Sequence, residues 1–209
     1  MRAALLEAPR RLVVGELDDP SPAPDELVIR VAACGVCGTD RAIYSGDYPV
    51  RHPLILGHEI AGTVTARGAE VEGCQLGDRV TLDPNVVDDV CYFCRRGVDH
   101  LCRGLSPLGI ARAGGFAELV TVPARYAYVL PDSLSLEAGA LVEPIACCVH
   151  GIDQAAIAPG DLVAVLGCGP IGCVLVQLAR LSGAVRIVAA DPLSARRRLA
   201  EGDIFLHPC

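Results

Sequence analysis

The chain has 209 residues, about enough for one complete domain and part of a second. It is 52% apolar and 21% charged, which excludes a predominantly disordered protein. The formal net charge of −7 argues against nucleic acid or an anionic membrane as the main partner, because both bind basic surfaces.

The amino terminus lacks the character of an export signal. Charged residues and Pro9 interrupt the first twelve positions, so they contain no apolar stretch of signal-peptide type. The eleven cysteines therefore indicate a cytoplasmic protein, in which reduced thiols bind metal or serve as small core residues.

From Met1 to about Val129, short β-branched runs alternate with proline and glycine turns. This pattern predicts an irregular, mostly antiparallel β domain with long functional loops. The predicted strands are residues 12–17, 26–32, 59–66, 79–83 and 118–122.

One group of residues offers the ligands of a catalytic zinc ion. Cys37 lies in a predicted glycine-flanked loop, residues 34–40, where a thiolate is presented rather than buried. His58 and Glu59 follow a glycine, and Glu143 lies far along the chain. Zinc binds thiolate, imidazole and carboxylate ligands, and a catalytic zinc keeps one position open for substrate. Each of these residues alone is weak support for a metal site.

Thr39 lies two residues after Cys37. Its hydroxyl is close enough to hydrogen-bond an oxygen on the metal, and so to pass a substrate proton towards the cofactor ribose. It could equally cap a turn, and the sequence leaves both roles open.

A second group has the spacing of a zinc knuckle. Cys91 and Cys94 are separated by two residues, and Cys102 follows eight residues later. Asp88 stands at the right spacing to be the fourth ligand of a tetrahedral ion. The alternative is a set of reduced thiols in a surface loop, which we consider the weaker interpretation.

The character of the chain changes after Pro131. A predicted helix, residues 135–150, has Ser135 as its cap. The apolar run 162–166 is typical of a buried parallel strand, and a helix (170–182) and a second strand (185–190) follow it. Because glycines and a proline punctuate this region, we interpret it as the first strand–helix–strand unit of a doubly wound fold and not as a membrane span.

The turn between the first of these strands and its helix has the pattern of a dinucleotide-binding loop. Its glycines allow a tight turn and close approach of the backbone to a pyrophosphate at the helix amino terminus. Asp191 ends the next strand, where a carboxylate that accepts hydrogen bonds from ribose hydroxyls favours NAD over NADP. We interpret the arginines at 196–198 as a solvated helix face rather than a 2′-phosphate site. The candidate cofactor-binding residues are Gly167, Gly169, Pro170, Ile171, Gly172 and Asp191.

Together these motifs resemble the zinc-containing medium-chain alcohol and polyol dehydrogenases, in particular the branch that includes sorbitol and threonine dehydrogenases. The resemblance covers nearly the whole chain and is specific for the family but not for the substrate. The matching motifs are residues 34–40, 57–59, 77–80, the cysteine-rich segment 88–102, residues 114–118, 143–144 and the glycine turn 167–172.

The resemblance implies an α/β protein with a GroES-like catalytic domain, residues 1–150, and the beginning of a Rossmann domain, residues 151–209. It implies an NAD(P)-linked oxidoreductase acting on a small alcohol, polyol or sugar, whose relatives pair through the nucleotide-binding domain. Cys37, His58 and a carboxylate, from Glu59 or Glu143, would hold the catalytic zinc. Thr39 would begin a proton relay.

Three departures from the family pattern alter these expectations. Asp88 replaces the usual first cysteine of the structural site, which predicts weaker zinc binding there. Ala42 stands where many relatives have a histidine that completes the proton relay, so we expect proton release through water. The chain ends at Cys209, where relatives are beginning a third strand, so we expect an unpaired strand edge and poor dinucleotide affinity.

Two other hypotheses remain open at this point. The chain could be a catalytically inactive zinc-binding remnant or a regulatory protein of the same family. A thiol-redox or zinc-storage protein fits the cysteine content, but it leaves the glycine turn and Asp191 unexplained.

Overall fold

The computed structural model describes residues 1–201. The chain forms two compact units, Met1–Glu143 and a second that begins at Pro144. The domain boundary that the sequence predicts, between residues 150 and 151, lies inside a helix of the structure, Val142–Ala155. The predicted start of a third strand lies in 202–209, outside the described residues.

The first unit is built on two antiparallel sheets, as its alternating strand pattern predicts. The larger has five strands in the order β7-β3-β5-β6-β8, and the smaller has the order β2-β1-β4. The larger sheet comprises β3 (Glu26–Gly35), β5 (Glu59–Arg67), β6 (Arg79–Leu82), β7 (Leu119–Pro123) and β8 (Ala127–Val129). The smaller comprises β1 (Arg2–Ala8), β2 (Arg11–Glu16) and β4 (Leu54–Ile55).

Apolar side chains from the larger sheet form the main core of this unit. Leu27 and Ile29 of β3, Ile60 of β5 and Val122 of β7 are fully buried in one cluster. Burial of side chains of this size contributes about 1.5–3 kcal/mol each, before the cost of ordering the chain. The sheet is therefore a rigid support for the loops at its ends.

The predicted loop 34–40 is wrong in part, since it contains the end of a strand and the start of a helix. β3 continues to Gly35, and helix α1 (Gly38–Ser45) begins directly after Cys37. The Asp40 carboxylate accepts a hydrogen bond from the Cys37 amide at 2.8 Å, which satisfies a donor at the helix amino terminus. The helix ends at Gly46, whose φ of 90° is a left-handed conformation that glycine adopts without strain.

The single predicted helix 135–150 is two helices in the structure, α2 (Leu136–Ala140) and α3 (Val142–Ala155). Ser135 caps α2 as predicted, because its hydroxyl accepts from the Ala138 amide at 3.2 Å. The Leu141 amide bonds to the Ala138 carbonyl, three residues earlier, at 3.1 Å. This tightened turn separates the two helices.

The second unit contains the predicted strand–helix–strand arrangement. It comprises β9 (Leu162–Leu166), α4 (Pro170–Leu181), β10 (Arg186–Ala190) and α5 (Ser194–Glu201). β9 and β10 pair in parallel, in register from Leu162 with Arg186 to Leu166 with Ala190. Among the described residues, no helix is long and apolar enough to cross a membrane.

The prediction that β9 is buried is wrong for most of the strand, in which only Val165 is buried. Leu162 is 75% exposed and Leu166 is 86% exposed. The reason is that β9 has a strand partner on one side only within residues 1–201, where this sheet has two strands. The parallel pairing itself agrees with the prediction.

Candidate metal and cofactor sites

Strand pairing brings the first predicted ligand group together. Gly35 at the end of β3 is the register partner of Glu59 at the start of β5. Cys37 follows β3 by two residues, and His58 directly precedes β5. One ligand atom each from Cys37, His58 and Glu59 lies within 4.8 Å of the others, with His58 and Glu59 buried.

Gly35 makes room for the Glu59 carboxylate. A Cβ atom built on Gly35 would lie 1.8 Å from Glu59 Oε2, a distance at which atoms overlap. Any larger residue at position 35 would therefore displace the carboxylate from Cys37 and His58. Gly35 had no predicted role, because the need for a residue without a side chain becomes visible only when the partner strand is known.

Asp40 is a second residue of the site that the sequence analysis missed. Its side chain is buried, and its carboxylate accepts from the amides of Cys37 at 2.8 Å and Gly57 at 3.1 Å. Its Oδ1 lies 3.6 Å from Nδ1 of His58. Asp40 therefore ties together the two backbone segments that carry Cys37 and His58. Its position three residues after Cys37 was the available signal, but cysteine is not a usual first member of a capping box.

The buried charges shift one another's protonation. Burial lowers the pKa of His58, but the neighbouring Asp40 and Cys37 outweigh this and raise it to about 9. Burial raises the pKa of Asp40, yet His58 and the Cys37 amide outweigh that effect and lower it. The pKa of Glu59 is raised, mainly by burial. These directions describe the metal-free chain, in which His58 carries a proton that a metal would displace.

This group fits a zinc ion. Nδ1 of His58 is buried and has no hydrogen-bond partner within residues 1–201, since its distance to Asp40 exceeds hydrogen-bond length. Buried polar atoms are normally paired, so an orphaned ring nitrogen in a cysteine–carboxylate cluster is typical of a ligand site whose ion aligns the ring. One sulfur, one imidazole and one carboxylate are the donor types of catalytic zinc sites.

Thr39 lies beside this cluster, whereas Glu143 is not among its described members. Thr39 lies in the first turn of α1, and its Oγ1 is 3.7 Å from Cys37 Sγ. Glu143 is half-buried in the first turn of α3. Glu143 is not a member of the described group whose ligand atoms lie within 4.8 Å of one another. The structure therefore brings the Glu59 carboxylate to Cys37 and His58.

The second predicted ligand group also comes together. It lies in the cysteine-rich segment 88–102, here called the lobe, which contains two short 3₁₀ turns, Cys94–Arg96 and Asp99–Leu101. One ligand atom each of Asp88, Cys91, Cys94 and Cys102 lies within 4.8 Å of the others. This set fits a tetrahedral zinc ion held by three thiolates and one carboxylate.

Asp88 takes the place of a knuckle cysteine. Its Oδ1 accepts from the amides of Cys91 at 2.9 Å and Val90 at 3.0 Å and lies 3.4 Å from Cys94 Sγ. Hydrogen bonds from these amides lower the pKa of Asp88 to about 2. The carboxylate is therefore ionised at neutral pH, as a metal ligand must be.

The glycine turn has the shape expected of a dinucleotide-binding loop. Gly167 has a left-handed φ of 104°, and a Cβ built on Gly172 would lie 1.8 Å from the Gly167 carbonyl oxygen. A Cβ on Gly169, the residue before α4, would meet nothing within 4 Å, which leaves open space over the helix amino terminus. Pro170 and Ile171 are the first residues of α4. The loop therefore fits a phosphate group, for which the amino terminus of α4 supplies partial positive charge.

Asp191 is more strongly held than the sequence suggests. Its carboxylate accepts from the amides of Cys168 at 3.0 Å and Leu193 at 2.8 Å, and the side chain is buried. Arg196 Nη1 lies 3.7 Å from Asp191 Oδ2, and Arg197 donates to the Asp191 carbonyl. Arg196 and Arg198 are exposed, as expected of a solvated helix face. Of the three arginines at 196–198, Arg196 and Arg197 also contact Asp191, the residue proposed to bind ribose.

Residues 23–132 match the family described as "Alcohol dehydrogenase GroES-like domain". This match spans more than half of the chain. The chain belongs to this family. The expected likeness to zinc-containing medium-chain dehydrogenases is thereby confirmed at the level of the family, as is the GroES-like and Rossmann-type fold class.

Individual relatives agree with this assignment. The chain is 40% identical over 191 residues to D-arabinitol dehydrogenase 1 of Uromyces fabae, covering 91% of the chain and 54% of that protein. A structure from Sinorhizobium meliloti 1021, assigned as a zinc-binding dehydrogenase and bound to NADP, is 44% identical with a TM-score of 0.93. That comparison covers 96% of the chain and 58% of the other protein.

A third relative comes from Escherichia coli CFT073. It is an alcohol dehydrogenase complexed with NADH, 33% identical, with a TM-score of 0.92 over 96% of the chain and 59% of that protein. The chain thus spans just over half the length of the relatives that it matches.

Proposed function

We propose that the protein is a zinc-dependent oxidoreductase that transfers a hydride between a CH–OH group and NAD(P). The observation that carries the proposal is the convergence of Cys37, His58 and Glu59, whose ligand atoms lie within 4.8 Å of one another. The likeness to a D-arabinitol dehydrogenase supports a polyol, sugar or related secondary alcohol as substrate.

In this proposal Cys37, His58 and Glu59 hold the catalytic metal, and Glu143 is an alternative source of the carboxylate. Bound zinc acts as a Lewis acid that lowers the pKa of the substrate hydroxyl and favours hydride loss from its carbon. Asp40 orients His58 and fixes the Cys37 amide, because its buried carboxylate contacts both segments. Residues that orient metal ligands in this way strongly influence affinity and activity.

Proton movement would begin at Thr39. Its Oγ1 lies 3.7 Å from Sγ of Cys37, a proposed metal ligand. The hydroxyl can accept the substrate proton and donate its own onward. Ala42 has no titratable group, so the next acceptor in the proposal is water.

The cofactor proposal places the pyrophosphate at the amino terminus of α4. Gly169, Pro170 and Ile171 begin that helix, and Asp191 would accept hydrogen bonds from the adenosine ribose. A ribose diol bound to Asp191 favours NAD. The NADH and NADP complexes of two relatives support a nicotinamide dinucleotide in either form.

We also propose a zinc ion in the lobe, held by Asp88, Cys91, Cys94 and Cys102.

Ten cysteines among residues 1–201 are free thiols, which supports a reducing compartment such as the cytoplasm.

The function is tested by following NADH formation at high NAD concentration with a panel of polyols, sugars and secondary alcohols. We expect turnover with at least one polyol in the wild-type protein. The rate of Cys37→Ala should be lower by about a hundredfold or more, since a lost ligand disables the metal. Cys74→Ala, a buried cysteine outside both ligand groups, is the control. Equal rates in Cys37→Ala and wild type would refute the proposed site.

A further inference from the structure

The loop that carries Asp88 is held from both sides by residues of a distant segment. Arg125 lies in the 3₁₀ turn Ala124–Tyr126, which follows β7. Its Nη1 forms an ion pair with the Asp89 carboxylate, and its Nη2 donates to the Val87 carbonyl at 3.4 Å. The residues before and after Asp88 therefore share one guanidinium.

Tyr126 completes this support. Its hydroxyl accepts from the Val87 amide at 2.9 Å and from Arg125 Nη2 at 2.7 Å. The Arg125 guanidinium lies 4.7 Å from the centre of the Tyr126 ring, and Tyr126 is buried. Because the ring is fixed in the core, the guanidinium has a defined position from which to hold the loop.

The backbone held in this way has an uncommon conformation. Asp89 has a φ of 58°, in the left-handed region that residues other than glycine rarely adopt. This turn points the Asp88 carboxylate back to the Val90 and Cys91 amides, 3.0 and 2.9 Å from Oδ1, and towards Cys94 Sγ at 3.4 Å. A different conformation at Asp89 would lose this direction.

Gly104 leaves room for the Asp88 carboxylate, which is larger than the thiolate of a cysteine. A Cβ built on Gly104 would lie 2.6 Å from Asp88 Oδ2. The lobe therefore has space for the Asp88 side chain beside Gly104, and contacts of Arg125 with the neighbouring residues fix the orientation of Asp88.

We propose that Arg125 is a positioning residue for the metal site of the lobe, acting through Val87 and Asp89 on Asp88. The inference rests on the proposed lobe zinc. Oxygen is a less favoured zinc ligand than thiolate in a sulfur-rich site, so the contribution of Asp88 depends on its being held in place. The Arg125–Asp89 pair is about half exposed, 50% and 53%, and such pairs add little to overall stability. Its effect therefore falls on metal affinity and not on folding.

The test uses cobalt(II) as a spectroscopic substitute for zinc, in a Cys37→Ala background so that the lobe alone is observed. Arg125→Gln is compared with Arg96→Gln, a matched control whose guanidinium lies over the exposed Tyr92 ring. We expect Arg125→Gln to weaken metal binding by about tenfold to a hundredfold, the range for residues that support metal ligands. The thiolate-to-cobalt charge-transfer band should persist while the d–d bands shift, because the three sulfurs remain and Asp88 is displaced.

Two further variants separate positioning from folding. Arg125→Lys should recover part of the affinity, since it keeps the charge but not the fork of donors. Asp89→Asn should reproduce the loss without disturbing the backbone, because asparagine tolerates the left-handed region, and its effect should not add to that of Arg125→Gln.

Metal affinity of Arg125→Gln within about twofold of Arg96→Gln, a change no larger than that of an exposed side chain, would overturn the role of Arg125 while leaving the lobe zinc in place. A lower melting temperature with unchanged metal affinity would overturn it in the same way. Absence of a thiolate–cobalt band in the Cys37→Ala protein with an intact lobe would overturn both proposals.

Discussion

At the scale of single residues, the site depends on a glycine as well as on its ligands, because Gly35 leaves room for the Glu59 carboxylate. Replacing Gly35 by Ala would put a Cβ within 1.8 Å of Glu59 Oε2, so the carboxylate must move away from Cys37 and His58. We expect Gly35→Ala to lower zinc affinity at this site by about tenfold or more. Competition with a chromophoric chelator measures this.

Gly15→Ala is the matched control, because a Cβ there meets nothing within 4 Å and Gly15 also lies in a strand. Equal zinc affinity in Gly35→Ala and Gly15→Ala would show that Glu59 does not bind the metal.

His58 predicts a pH dependence. Its pKa of about 9 in the metal-free chain means that zinc must displace a proton at neutral pH. Apparent zinc affinity should therefore rise with pH and level off above about pH 9. Asp40→Asn removes the main group that raises this pKa, so levelling should occur at lower pH. Calorimetry in buffers of different ionisation enthalpy counts all the protons released on zinc binding, and the same pH profile in both proteins would contradict the prediction.

The same shift affects stability. Because the pKa of His58 is higher in the folded metal-free chain than its ordinary value of about 6.5, protonation favours folding. This contribution to the free energy of unfolding is complete below about pH 6.5 and is lost as the pH rises through about 9. Urea denaturation of the metal-free protein between these values should show the decline, and Asp40→Asn should reduce it.

At the scale of elements, sequence patterns predicted most strands but not how two of them create the site. The predicted strand 59–66 and the observed β5 (Glu59–Arg67) agree closely, and β9, α4 and β10 were predicted to within a residue. A helix begins immediately after Cys37 in the structure. It was not predicted, because the glycines in 34–40 favoured a loop. Asp40 was consequently overlooked, since its role depends on its place in the first turn of that helix and on the approach of Gly57.

The lobe offers a prediction at the same scale. Asp88→Ala should weaken zinc binding by the lobe by about tenfold or more, and Asp88→Cys should strengthen it, because thiolate is the better zinc ligand. Asp99→Ala, a change in the neighbouring 3₁₀ turn, serves as control. Chelator competition distinguishes these cases. Unchanged affinity in Asp88→Ala would mean that the three cysteines act without a carboxylate.

At the scale of the whole molecule, the chain spans just over half the length of its relatives, 54% in the D-arabinitol dehydrogenase and 58% in the Sinorhizobium meliloti protein. The sequence predicted the order of a β-rich unit and a strand–helix–strand unit because each has its own periodicity. The sequence predicted that β9 is buried because its residues are apolar. Whether such a strand is buried also depends on how many strands flank it, which its own residues do not indicate.

The central claim is that Cys37, His58 and Glu59 form one metal site, separate from the lobe. The most direct measurement is native mass spectrometry of the zinc-loaded protein, with Cys37→Ala and Cys91→Ala compared with wild type. The account predicts that each variant loses one zinc ion and that the double variant loses both. Equal zinc content in wild type and Cys37→Ala would contradict it.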